Sequence, residues 1–339
     1  MNTPGPADVS VVIATRDRPE SLLRLLRSIA AQSAPPREVV VASAGVPPSR
    51  EALQRVMAPV PVTVVHGEPS VCRQQNEGIR RAAAPLVLLC DDDIELPPGY
   101  IDMLLDARAL LPGEAAVCGL LHEGGAVPGD RCSPAGLVWR RLFHMGVWAD
   151  VAAVPERGVF APLVRGAKTH YRRAGNTLSA AGWPLFTRWD GAVVRTLVYG
   201  LGGGALVPRA WLLASPYDEL LDPNGIGDNY GVALGFPGEL PVAVVKRAAV
   251  VHHRDPAFRP DAGTAWARRV YALDYFGSRS PRLGRARRAA LLWSLAGRLL
   301  ATAASLRLAE AGNAAAVIIR LAAGGNPYLR ARRDAEKTR

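Results

Sequence analysis

Leu86–Cys90 is an unbroken apolar run, and three carboxylates, Asp91-Asp92-Asp93, follow it without a gap. An apolar segment with no polar alternation belongs to a strand covered on both faces, as in a parallel sheet whose crossovers are helices. The same kind of segment recurs upstream and downstream: Val9–Ala14, Glu38–Ala42, Val62–Val65 and Ala115–Gly119. Between them lie stretches of helical spacing. Leu22, Leu23, Leu25, Leu26 and Ile29 follow Pro19-Glu20, and Asn76, Ile79 and Ala83 mark a helix over Arg73–Ala83. A further helix is predicted over Pro98–Leu111. Strands alternating with helices predict an open, mostly parallel α/β sheet flanked by helices. In such sheets ligands sit at the carboxyl ends of the strands. Two polar groups fall there: Thr15–Arg18 after the first strand and Asp91–Asp93 after the fourth.

The remainder is organised differently. Residues 120–195 are rich in Gly, Pro, Trp, Arg and His and lose periodicity, which reads as an insertion that shapes an acceptor site. Thr196–Val207 and Leu240–Val251 return to strand-like sequence, and Arg285–Leu321 is helical and rich in Ala and Leu. The expected organisation is an α/β domain over 8–255 and a basic helical C-terminal extension over 256–339. The net charge of +11 is concentrated at that end: Arg279–Arg339 holds thirteen Lys/Arg against three Asp/Glu. Leu291, Leu292, Leu295, Leu299 and Leu306, flanked by Arg285, Arg287, Arg288 and Arg298, fit one face of an amphipathic helix on an anionic membrane surface. They fit equally well a packed helical pair with an arginine-rich outer face. No aromatic platform accompanies the arginines, so no nucleic-acid partner is expected.

Met1–Asp8 carries no basic residue and does not read as an export signal. The longest uncharged stretch, Ala174–Thr187, is too short and too broken by Gly and Pro to span a bilayer. Cys72, Cys90, Cys118 and Cys132 are far apart and read as reduced thiols. The expectation is a cytoplasmic protein, peripheral on the inner face of the membrane if its basic helices meet lipid.

Three adjacent carboxylates at the end of a buried strand repel one another and lose hydration, and a divalent cation compensates both costs. Alternate residues of an extended segment share a face, so Asp91 and Asp93 can serve one cation while Asp92 faces elsewhere. Gly200, Gly202 and Ala205 imitate a dinucleotide fingerprint, but Pro208 interrupts the helix that should follow.

The segments VSVVIATRDRPESLLRLLRSIAAQ, VCRQQNEGIRRAAAPLVLLCDDDIELPPGYID, YGLGGGALVPRA and LLDPNGIGDNYGVALGF, in this order, resemble the family 2 glycosyltransferases, which have the GT-A fold. The resemblance covers roughly residues 8–255. It implies a nucleotide-sugar-dependent enzyme of hexosyltransferase type that inverts the transferred centre. Its donor would be a nucleotide diphosphate sugar, its acceptor a hydroxyl on a glycan, a lipid-linked glycan or a natural product, and its cofactor Mn2+ or Mg2+. Matched by position, Asp91 and Asp93 fall on the DXD motif, with Asp93 as metal ligand and Asp91 near the ribose or metal. Asp92 lies within the donor-binding set. Thr15, Arg16 and Asp17 fall on the loop that touches the base, and Ser43 on the end of strand two. Arg73 and Asn76 approach the nucleotide, and Gly203 and Gly204 form a turn near the donor sugar. Asp228 takes the catalytic-base position, with Asp222 as second choice, and His252, ahead of His253, completes the metal shell. Two departures stand out: Ala42 and Ser43 replace the acid that usually ends strand two, and Gly227 replaces an acid before the base. Two other classes fit parts of the pattern. One is an inactive sugar-nucleotide-binding homologue acting as a partner or scaffold. The other is a nucleotidyltransferase, against which the glycine-free TRDRPE loop argues.

Overall fold

β-Branched residues lose little by adopting extended backbone, and the segments rich in them build the sheet. The computed structural model describes residues 4–123, 132–221 and 223–338. In chain order its elements begin with β1 (Val9–Arg16), α1 (Pro19–Ala30), β2 (Glu38–Ala44), α2 (Arg50–Met57), β3 (Val62–His66), α3 (Val71–Arg81), β4 (Leu86–Asp91), β5 (Ile94–Glu95), α4 (Tyr100–Leu110) and β6 (Ala116–Glu123). Next come α5 (Pro134–Leu142), β7 (Val147–Trp148), α6 (Ala161–Ala174) and β8 (Leu185–Phe186). The sheet resumes with β9 (Val193–Thr196), β10 (Gly203–Pro208), α7 (Arg209–Ala214), α8 (Asp228–Leu234) and β11 (Val242–His252). The chain ends in α9 (Ala262–Gly277), α10 (Arg287–Ala304), α11 (Leu308–Ala322) and α12 (Pro327–Lys337). Two compact units result, one from residues 1–128 with 190–259, the other from 129–189 with 260–339. Of the segment expected as an insertion, residues 129–189 thus share a unit with the C-terminal helices, and α5 and α6 give it regular structure that fading periodicity concealed.

In the first unit the described residues form a nine-stranded sheet of order β3-β2-β1-β4-β10-β6-β11-β5, with β9 also on β11. β3, β2, β1 and β4 run parallel, as do β6 and β11, while β10 lies antiparallel between β4 and β6. The expected open, mostly parallel α/β sheet is therefore present. Leu22, Leu25, Leu26 and Ile29 of α1 are buried at helical spacing against it. Val9, Val11, Ile13, Leu86 and Leu88 belong to the same core. Burial of each such side chain contributes about 1.5–3 kcal/mol. Ser49 and Ser70 cap α2 and α3 by accepting amides in the first turn.

Register brings the polar groups to one edge. Ala14 pairs with Asp91 across β1 and β4, so the Thr15–Arg18 loop leaves the sheet beside the three carboxylates. Because β10 is antiparallel, its first residue, Gly203, pairs with Cys90 at that same edge. His252 at the end of β11 pairs with Ile94 of β5, one residue beyond Asp93.

The second unit has its own core of Leu137, Val147, Val151, Val164, Ala167, Tyr171 and Leu185. Its C-terminal helices are joined by a buried ion pair, Arg287 Nη2 to Asp274 Oδ1 at 2.8 Å. Asn326 Nδ2 donates to Asp274 Oδ2 at 2.9 Å while its Oδ1 accepts the Tyr328 amide and caps α12. Leu291 and Leu295 are fully buried in the protein, Leu292 and Leu299 are half-buried, and Leu306, beyond the end of α10, is exposed. No helix among the described residues is long and apolar enough to cross a membrane. Cys72, Cys90, Cys118 and Cys132 form no disulfide among the described residues.

Candidate active site

Strand alternation at the end of β4 divides the three carboxylates between two sets of partners. Asp92 turns toward the first loop. Its Oδ2 accepts the Thr15 hydroxyl at 2.7 Å and its Oδ1 accepts Arg18 Nη1 at 3.0 Å. Arg18 also donates to the carbonyl of Ala257. Asp93 turns toward β11 and the segment after it. Its Oδ1 lies 3.2 Å from His252 Nε2, and its Oδ2 accepts the Asp255 amide at 2.9 Å and Arg259 Nη2 at 2.7 Å. Burial alone would raise Asp93; the His252 and Arg259 hydrogen bonds outweigh it and hold the carboxyl well below the usual range. Among the described residues Asp91 has no such cationic partner at hydrogen-bond distance. Burial, then the charge of Asp93, push it up to about 6.

Asp91, Asp93 and His252 each offer a ligand atom, and these atoms lie within 4.8 Å of one another. Two carboxylate oxygens and one imidazole nitrogen form a donor set for a divalent cation of the Mg2+ or Mn2+ kind. After burial, the charge of Asp93 adds to the rise of Asp91, and a cation at this point would offset that repulsion. The residues present therefore fit a metal. Of the two candidate histidines, His252 faces the carboxylates. His253 instead places Nε2 3.0 Å from Glu95 Oε2.

The glycine-rich turn before β10 completes one wall. Gly202 accepts the Asp91 amide at 2.7 Å. A Cβ on Gly202 would lie 2.3 Å from Asp91 Oδ1, so only glycine leaves room for that carboxylate. Gly203 continues the turn, and Gly204 adopts φ +86°, with its carbonyl accepting the buried Tyr100 hydroxyl at 2.8 Å. The turn is tied to the start of α8: Leu201 donates its amide to Asn229 Oδ1 at 2.9 Å. Asn229 in turn donates its backbone and side-chain N–H groups to Asp228 Oδ1, at 2.6 and 2.8 Å. Asp228 is the first residue of α8, not its cap, which is Gly227 at φ +97°. Burial, opposed by the Asn229 amide and reinforced by the charge of Asp91, pushes Asp228 up to about 7. That is well above the usual carboxylate range.

The other donor-site candidates divide. Thr15 is buried on Asp92. Arg16 stacks its guanidinium over the Phe258 ring at 4.4 Å. Asp17, at φ +50°, accepts the Val46 amide at 2.7 Å and so pins the loop after β2. Ser43 is buried at the end of β2, 3.3 Å from His66 Nδ1. Arg73 is exposed and paired with Glu219 at 3.3 Å. Asn76 uses both ends of its amide on the 217–219 segment: Nδ2 donates to the Tyr217 carbonyl and Glu219 Oε1, and Oδ1 accepts the Tyr217 amide. Asp222 lies outside the described residues. Sequence reasoning missed Arg18, Asp255, Arg259 and Gln74; buried Gln74 donates to the carbonyls of Thr15 and Ala42 and joins the ends of β1 and β2. An arginine in a loop gives no periodic signal, but a buried-face glutamine in a short amphipathic helix does.

Residues 10–130 match the family model of Glycosyl transferase family 2. A protein of Bacillus subtilis (strain 168) described as uncharacterized glycosyltransferase YwdF is 30% identical over 99 residues, covering 28% of this chain and 36% of that protein. The match thus spans little more than a third of that relative's length. Mannosyltransferase PcManGT from Pyrobaculum calidifontis, solved in complex with GDP-Man and Mn2+, has a TM-score of 0.49 at 17% identity, over 97% of this chain and 87% of that one. S. aureus TarS 1-349 in complex with UDP has a TM-score of 0.47 at 12% identity, over 85% and 70%.

Proposed function

We propose that this chain, whose residues 10–130 match the family model of Glycosyl transferase family 2, transfers a sugar from a nucleotide diphosphate to an acceptor hydroxyl with inversion. The observation that carries the reading is the pairing of two carboxylate environments at one sheet edge. Asp91, Asp93 and His252 converge as a cation site, and Asp228 stands near Asp91 with its pKa raised to about 7. Asp93, with Asp91 and His252, would hold Mn2+ or Mg2+, whose charge would offset that of a departing diphosphate.

The remaining work falls to side chains already in place. Thr15 and Arg18 hold Asp92 away from the cluster, so its charge does not compete for the cation. Gly202 gives Asp91 space, and Asn229 fixes Asp228 through two hydrogen bonds to one oxygen, leaving the other oxygen for a substrate proton. In an inverting transfer the acceptor oxygen bonds to the anomeric carbon as the bond to the diphosphate oxygen breaks on the opposite face. Asp228 takes the acceptor's proton. A carboxylate of pKa about 7 is matched to that role at neutral pH.

Calorimetric titration of UDP, GDP and dTDP into wild type and Asp93→Ala, each with and without Mn2+, tests the reading. Metal-dependent binding of one nucleotide, lost in the variant, is expected. Absence of binding by every nucleotide under every condition would sink the proposal. Metal-dependent binding with no transfer to any acceptor and no slow donor hydrolysis would favour the inactive homologue.

A further inference from the structure

The second unit carries a basic cleft that the transfer chemistry does not use. Residues 134–174 hold seven Lys/Arg against two Asp/Glu, an excess hidden by the near-neutral balance of the chain before its C-terminal end. Part of that excess is gathered in one place. Arg141, at the end of α5, and Pro162, Arg165, Gly166, Thr169, His170 and Arg173, along one face of α6, line a cleft of about 490 Å3. No carboxylate lines it. Arg165 is bonded to Glu156 at 3.0 Å, whereas neither Arg141 nor Arg173 has a carboxylate within 4.0 Å among the described residues. Gly166 lets the Arg141 side chain lie across α6, for a Cβ there would meet Arg141 Nη1 at 2.7 Å. Burial, then the charges of Arg141 and His144, lower His170, in keeping with a positive field in the cleft.

The neighbourhood of the cleft is apolar and exposed. Leu142 follows Arg141, and Phe160 and Leu163 flank Pro162; all three are more than half exposed, and Val159 more so. Large apolar side chains open to solvent beside unpaired arginines have two complementary needs, which one kind of surface meets. Lipid headgroup phosphates supply the anions, and the adjoining acyl region receives the apolar side chains. A soluble phosphate would satisfy the arginines and leave Leu142, Phe160 and Leu163 in water.

We propose that the α5–α6 cleft is a binding site for the phosphate headgroups of an anionic lipid surface, with Arg141 and Arg173 as its anion ligands and Leu142, Phe160 and Leu163 as its apolar anchors. The site is independent of the transfer reaction, and its test needs no donor or acceptor. The full chain is sedimented with phosphatidylcholine vesicles, and with vesicles of phosphatidylcholine and phosphatidylglycerol in equal parts, at physiological salt. Binding is expected only to the anionic vesicles. Arg141→Gln together with Arg173→Gln should lower the partition coefficient roughly thirtyfold, about fivefold for each charge. Phe160→Ser with Leu163→Ser should also weaken binding, although it leaves every charge in place. A charge-matched control, Arg330→Gln with Arg333→Gln, alters two exposed arginines of α12 and should change the partition less than twofold. All these positions are exposed, so folding should survive, and circular dichroism checks that it does. Equal loss in the α12 control would mean that net charge alone drives binding and would overturn the proposal. So would binding of inorganic phosphate that needs Arg141 and Arg173 while vesicle binding does not, which would make the cleft a soluble-anion site.

Discussion

Arg259 places its guanidinium where a cation would be drawn, 2.7 Å from Asp93 Oδ2 and 3.2 Å from His252 Nε2. It is thus paired with two of the three ligand groups, and a divalent ion binding there must displace at least part of that pairing. Replacing Arg259 with Met keeps the aliphatic stem and removes the charge. A hydrogen bond to a charged group is worth about 1.5–3 kcal/mol when shielded. The Arg259 side chain is 38% exposed, and solvent screening reduces the figure to about 1 kcal/mol. One kilocalorie corresponds to about a fivefold change in affinity. Arg259→Met should therefore bind Mn2+ about fivefold more tightly than wild type in the absence of nucleotide, measured by calorimetry at pH 7.5. Asp93→Asn, tested alongside, should bind the ion far more weakly than either. The same variant should melt at a lower temperature than wild type without metal and regain the difference when saturated. Unchanged or weaker Mn2+ binding by Arg259→Met, with the fold intact, would refute the idea that the guanidinium competes with the ion.

Other consequences follow from the same geometry. Asp228→Asn keeps the oxygen that accepts from Asn229 but cannot take a proton, so kcat should fall by about 10²–10⁴-fold with donor binding retained. The same substitution should raise Tm at pH 8: a carboxyl raised to about 7 favours the fold below its unfolded value, and that contribution is lost as pH rises through 7. In wild type saturated with Mn2+, kcat/KM should climb with pH as Asp228 loses its proton, at a pH below the value of about 7 that this carboxyl has in the metal-free protein, while Mn2+ affinity should decline as pH falls through about 6, where Asp91 gains one; a flat profile in either measurement counts against the assigned role. Gly202→Ala forces the Asp91 carboxylate to move and should weaken Mn2+ binding about tenfold with little change in far-ultraviolet circular dichroism. Asp274→Leu leaves Arg287 buried without its partner and should destabilise the second unit by about 3–5 kcal/mol in urea titration.

What could be read from the sequence followed from periodicity and from adjacency. Apolar runs without alternation marked β1, β2 and β4, and the abutment of Asp91–Asp93 on one of them marked the candidate cation site. Strand alternation then placed Asp91 and Asp93 on one side and Asp92 on the other, as found. His252 required the additional knowledge that β11 ends at this edge, which depends on a parallel pairing with β6 across more than a hundred residues. The antiparallel insertion of β10 was invisible for the same reason: pairing direction is set by tertiary contacts. Arg18 and Arg259 sit in loops, where a long side chain gives no phase, so their partners could not be named. The grouping of residues 129–189 with 260–339 depends on helix packing between distant segments, and so does the burial of Leu291 and Leu295.

The two perturbed carboxylates are coupled, and the coupling suggests why they are kept close. After burial, the charge of Asp91 is among the causes that lift Asp228. A cation held by Asp91 and Asp93 would offset the Asp91 charge, and Asp228 would then ionise more readily. Its main perturbation, burial, would remain, so the group would still be more basic than a solvated carboxylate. Loading of the metal site would thereby shift Asp228 toward the ionised form that accepts a proton, while Asp228 in the metal-free protein stays largely protonated below pH 7. The order of events is testable without turnover. The pH dependence of Tm should move to lower pH when Mn2+ is added to wild type, and this movement should be absent from Asp228→Asn. A metal-induced displacement of equal size in both proteins would show that Asp228 does not sense the cation.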